Sequence, residues 1–188
     1  MWSPSLSDPA TPPPSNVNSD EIQVFGPYAI RHIETTVPNL RDMTGVVLRY
    51  GQLYGPGTGF SRSGAMVERI RKRALPLIGD ASGVWSFLHV SDAATATRLA
   101  ITREAHGLYN VVDDEPAEVS EWLPYLAHIV GAKAPRHIPA WLGRLLAGEG
   151  VVLQMTSIRG LSNARVKAEL KWAPDYESWR TGFPLACV

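Results

Sequence analysis

The chain has 188 residues, 45% hydrophobic and 19% charged, which allows one ordinary buried core and excludes disordered and fibrous classes. Its 18 Lys and Arg balance 18 Asp and Glu, so no global field draws it to nucleic acid or an anionic membrane. The single cysteine, Cys187, can close no internal disulfide; with no signal-peptide pattern and no apolar run near ~20 residues, a cytoplasmic protein without a membrane span is expected.

Residues 1–19, with Pro4, Pro9 and Pro12 to Pro14 among Ser, Asn and Thr, read as a disordered or extended leader. A helix follows from Asp20 to Val37, interrupted at Gly26-Pro27, with its firmer part starting at Pro27 and stopping before Pro38. Val46 to Tyr50 is a strand whose continuous apolar run suits a parallel neighbour and two covered faces, and Gly51, Gly55 and Gly57 turn the chain above it. Ser61 or Ser63 caps a helix to about Ala74, and Val84 to Val90 is a second strand.

Ser91 or Asp92 caps an alanine-rich helix to about Thr102, and Leu108 to Val112 is a short strand. Pro116 opens a helix with Val119, Trp122, Leu123 and Leu126 on one face, ended by Gly131. Pro139 starts an amphipathic helix with Trp141, Leu142, Leu145 and Leu146, and Ser162 or Asn163 caps a last helix towards Leu170. The globular part spans 20–183, leaving a tail of 184–188.

Segments in this order carry a resemblance: Val46-Val-Leu-Arg-Tyr-Gly-Gln-Leu-Tyr-Gly-Pro-Gly57, Phe87-Leu-His-Val-Ser-Asp-Ala-Ala94, Gly107-Leu-Tyr-Asn-Val-Val-Asp-Asp-Glu-Pro116 and Ser162-Asn-Ala-Arg-Val-Lys-Ala-Glu-Leu-Lys-Trp172. The chain resembles the C-terminal part of extended short-chain dehydrogenases, the NAD-dependent epimerase/dehydratases. The resemblance implies an α/β fold: the last strand of a Rossmann-type sheet plus a substrate-binding α/β subdomain, with the N-terminal dinucleotide-binding half missing. It implies NAD or NADP as cofactor and a small-molecule substrate, with hydride transfer by the complete enzyme.

By that resemblance Tyr50, Gly51, Gln52, Leu53 and Tyr54 face the nicotinamide ring. Gln52 stands where the family places an asparagine near the substrate's phosphates; its longer amide keeps that hydrogen bond at a shifted position, or it is a turn residue facing solvent. Trp85-Ser86 replaces an Arg-Asp pair whose arginine clamps phosphate in many relatives. An indole stacks or packs but neutralises no pyrophosphate, so Trp85 shapes a pocket for a neutral substrate rather than a nucleoside-diphosphate sugar.

The family's proton-transfer unit is a tyrosine with a lysine four residues later, whose ammonium lowers the phenol pKa from about 10. Tyr28 has His32 at that spacing; if Glu34 fixes the register instead, Gly26 and Ile30 fall on the two positions. Neither register preserves the pair, so no catalytic residue is assigned.

Gly55-Pro-Gly-Thr-Gly59 fails the G-x-G-x-x-G template, and Ala65-Met66 after Gly64 fails the phosphate-loop one, so cofactor binding by this chain alone is not expected. His89 with Asp92, and Asp113-Asp-Glu115, read as residues of helix starts, and no cluster has metal-ligand spacing. Arg69-Ile-Arg-Lys-Arg73 reads as a solvated face at a helix C-terminus. A strand built for burial but deprived of neighbours leaves an open edge, so self-association or a completing partner chain is expected. The alternative to an enzyme part is a non-catalytic remnant or interaction module of the same fold.

Overall fold

A computed structural model describes the backbone of residues 19–188 and the side chains from Tyr28 onward; the expected leader lies almost wholly outside the described residues. Helix α1 (Ser19–Thr36) runs unbroken through Gly26-Pro27 into a short 3-10 turn, Val37–Asn39. An interior proline removes one backbone bond and strains one turn, and this helix has enough other turns to continue past it.

The chain then enters β1 (Val46–Tyr50) and, past Gly51, β2 (Gln52–Tyr54). Helix α2 (Ala65–Arg71) is followed by β3 (Leu77–Ile78), β4 (Val84–Trp85), β5 (Phe87–His89) and α3 (Val90–Thr102). Then come β6 (Gly107–Val111), β7 (Ala117–Glu118), α4 (Val119–Ile129), β8 (His137–Ile138), α5 (Ala140–Ala147), α6 (Glu149–Thr156), α7 (Ala164–Leu170) and α8 (Trp179–Cys187). The class is α/β, as expected.

β1 pairs in parallel with β6, β2 with β5, and β3 with β8; β4 and β7 are antiparallel. Gly51 is the point where one extended segment exchanges partners. Its N–H donates to the Val111 carbonyl at 3.1 Å, and the next N–H, of Gln52, donates to Ser86 at 2.8 Å. A Cβ on Gly51 would lie 2.6 Å from the Ser86 carbonyl oxygen, so only glycine lets these strands approach.

One core cluster, around Tyr54, Phe60, Phe87, Trp122, Trp179 and Phe183, joins α2, α4 and α8 to the β2–β5 pair. A second, with Leu88, Ala96, Tyr109, Val111, Val166 and Trp172, joins α3 and α7 to β5 and β6. The alanine stripe of α3 lets it sit close to the strands. Asp92, buried in that helix, accepts the N–H groups of Asp175 and Tyr176 at 3.0 and 3.1 Å and so fixes the approach to α8.

Several expectations shift. The strand read as Val84 to Val90 breaks at Ser86 into β4 and β5, and the helix read from Pro116 begins only at Val119, after β7. Residues 184–187, read as tail, belong to α8, where Cys187 is buried and its thiol donates to the Phe60 carbonyl. Burial pushes that thiol up to about 11.

Candidate active site

Two hollows open where the carboxyl end of β1 passes into the start of β2, and they share Gly51 and Gln52. The smaller, about 110 Å³, has Tyr50 to Gln52 on one wall, Val84 to Ser86 on the other, and Ile158, Arg159 and Leu161 from the segment after α6. Three hydrogen bonds fasten α6 and that segment to residues 84–86. The Trp85 indole N–H donates to the Gln154 carbonyl at 2.9 Å, the Val84 N–H to Ile158 at 2.8 Å, and the Leu161 N–H to Ser86 Oγ at 2.9 Å. The larger hollow, about 620 Å³, lies between Gly51 to Leu53, the Gly57 to Phe60 turn and the start of α2, with Arg69 beside it.

The residues expected to face cofactor divide by side-chain direction. Tyr50 and Gln52 are exposed at the site, and the Tyr50 hydroxyl meets Thr97 Oγ1 at 2.6 Å. Leu53 is half-buried. Tyr54 is fully buried, with His89 and Phe183 edge-on to its ring at 5.2 Å each, and it lines neither hollow. Burial, and then the nearby Asp113 carboxyl, push its phenol far above the ordinary range, so it holds its proton.

Trp85 is buried and its indole N–H is engaged, so it forms the rear wall of the smaller hollow rather than a freely stacking platform. Arg159 is the charged side chain lining that hollow, and no carboxylate lines either one. Sequence reading passed over Arg159 because it lies outside every recognised motif; the fastening of its loop to Val84 and Ser86 brings it there.

Tyr28 and His32 both lie exposed on α1 and line neither hollow, and Ile30 is exposed as well. Gly26 lies outside the residues whose side chains are described. Glu34 accepts from Arg49 of β1, Nε to Oε1 at 2.5 Å, which ties α1 to the strand and lowers the Glu34 pKa. His89 and Asp92 act at the start of α3: His89 Nδ1 accepts from the Ser91 N–H at 3.3 Å, and burial lowers its pKa.

The acidic run is not at a helix start. Asp113 is buried, Asp114 binds Lys167 and Asn163, and Glu115 binds Arg180.

The carboxyl end of β1 and the exposed Gln52 at the start of β2 fit the nicotinamide end of a dinucleotide. The glycine turn does not fit its pyrophosphate. The Gly59 carbonyl already accepts the Met66 and Val67 N–H groups at 3.0 and 3.4 Å, so those donors at the start of α2 are taken. Among the described residues, no helix is long and apolar enough to cross a membrane.

Comparison with known proteins agrees with this architecture. The chain is 45% identical over 154 residues to a 3-diazoavenalumate denitrifying reductase of a Streptomyces species, covering 82% of this chain and 50% of that protein. It thus spans about half the length of this curated relative. A human epimerase family protein solved with NADPH matches with a TM-score of 0.63 at 19% identity, over 76% of this chain and 48% of that one. A UDP-glucose 4-epimerase of Thermus thermophilus, solved with NAD, matches with a TM-score of 0.54 at 25% identity, over 89% of this chain and 51% of that one. Residues 9–112 match the NAD dependent epimerase/dehydratase family, and the chain belongs to that family.

Proposed function

We propose that this chain is the substrate-binding portion of an atypical NAD(P)-dependent reductase of the epimerase/dehydratase family, acting in the cytoplasm and inactive by itself. The observation that carries the reading is the meeting of two hollows at Gly51 and Gln52, just past the carboxyl end of the parallel strand β1. The similarity to a protein named as a reductase supports it.

NAD or NADP, when bound, supplies or receives hydride. The segment from Tyr50 to Leu53 forms the wall against the nicotinamide, and the Gln52 amide orients the substrate between the two hollows. Arg159 holds an anionic group of that substrate, and Trp85 closes the rear. A single guanidinium matches one carboxylate better than the double charge of a pyrophosphate, which favours a small organic anion over a nucleoside-diphosphate sugar. The neutral substrate expected from Trp85 is thereby revised to a singly charged one.

A second reading, a non-catalytic interaction module, is favoured by one observation: among the described residues β1 pairs only with β6, leaving its other edge open to a partner or a second copy. Thermal unfolding of the chain with and without saturating NADH or NADPH separates the two, because a ligand of the folded state raises the midpoint. A raised midpoint that Gln52→Ala diminishes supports the enzyme reading. A midpoint unchanged for the chain alone but raised once a dinucleotide-binding half is supplied as a second chain supports it too, and a midpoint unchanged in both cases favours the interaction module.

A further inference from the structure

A third hollow, of about 350 Å³, lies between the C-terminal end of α2, the β3–β8 pair and helices α5 and α6. It shares no lining residue with the smaller hollow and only Arg69 with the larger one. Its floor is apolar, built by Leu75, Ile78, Ile138, Val151 and Met155. Its charged residues are all arginines: Arg69, Arg73 and Arg136.

The basic run of α2 reads in isolation as a solvated helix end, and the fold changes that reading in three ways. Arg136 arrives from a segment distant in sequence, beside β8, and joins Arg69 and Arg73 at one opening. Arg73, held at φ 57°, donates from Nε to the Ala134 carbonyl at 2.7 Å, which fixes its guanidinium and ties the two segments together. The nearby acids Glu68 and Glu149 are engaged by Arg71 and Arg144, which lie outside the hollow. Positive charge over an apolar floor is therefore left uncompensated by the residues lining it.

We propose that this hollow is a second binding site, for an amphipathic organic anion whose carboxylate meets Arg69 and Arg136 while its hydrocarbon body covers the apolar floor. A bidentate guanidinium suits the planar carboxylate, and burial of the body supplies the remaining affinity. Because Arg69 borders both hollows, such a ligand draws one guanidinium away from the larger one.

Titration calorimetry of the full chain with decanoate, decanol and inorganic phosphate tests the site without cofactor. Decanoate is expected to bind at one site, with decanol weaker by about tenfold or more through loss of the charge-assisted contacts and phosphate weaker by about as much through loss of the buried hydrocarbon. Arg136→Gln, at an exposed position, is expected to weaken decanoate by about tenfold and leave decanol unchanged. Ala147→Trp, also at an exposed lining position, is expected to plug the hollow and abolish binding, with the unfolding midpoint retained. Equal affinity for decanoate and decanol, or undiminished binding by Ala147→Trp, overturns the proposal, as does absence of decanoate binding to the folded chain.

Discussion

The Trp85 indole N–H donates to the backbone carbonyl of Gln154 at 2.9 Å, across a gap of 69 residues in sequence. This contact fixes the distance between β4 and the end of α6, and with it the position of Arg159 over the smaller hollow. Trp85→Phe is expected to retain the wall and lose the bond, costing about 1 kcal/mol, and Trp85→Ala to cost about 3–5 kcal/mol through the cavity it leaves. Urea unfolding measures both; a Trp85→Phe variant as stable as wild type would show that the indole N–H is irrelevant.

Asp92 holds the segment before α8 by accepting two backbone N–H groups from Asp175 and Tyr176. Asp92→Ala leaves both donors unpaired and is expected to destabilise by about 2–4 kcal/mol, with faster amide exchange at these two residues. Unchanged exchange there would refute this role for the carboxylate.

Burial raises the Asp113 carboxyl from its ordinary 3.8 to about 8, despite N–H bonds from Glu115 and Trp179 that lower it. The folded chain keeps a proton that the unfolded chain releases, so unfolding loses protons between these two values. Stability from this group is fully present below the unfolded pKa and declines as pH rises through about 8. Asp113→Asn is expected to flatten that decline, as read from unfolding midpoints across the interval. A slope identical to wild type would assign the dependence to other groups.

Gly182, in α8, faces the phenol of Tyr54, and a Cβ there would overlap its oxygen. Because Tyr54 is enclosed by His89, Tyr176 and Phe183, it has no free direction in which to yield. Gly182→Ala is expected to cost about 1–3 kcal/mol despite the better helix propensity of alanine, read as a lowered thermal midpoint. A stabilised variant would mean that α8 moves away freely.

The sequence by itself determined the α/β class, the family, β1, the alanine-rich α3 and the apolar face of α4, because burial periodicity and glycine-rich turns are local properties. It did not disclose β3 and β8, two residues each, since a pair that short has no period to read. Nor did it disclose α8, whose Gly182 and Pro184 oppose helix locally and whose Trp179 and Phe183 recover stability by packing on distant residues, Phe87 among them. Tertiary structure alone decided that Tyr54 turns into the core while Gln52 faces the hollows. It also decided that Arg159 and Arg136 join residues distant in sequence, because a side chain's electrostatic surroundings are set by which segments pack beside it and not by its neighbours along the chain.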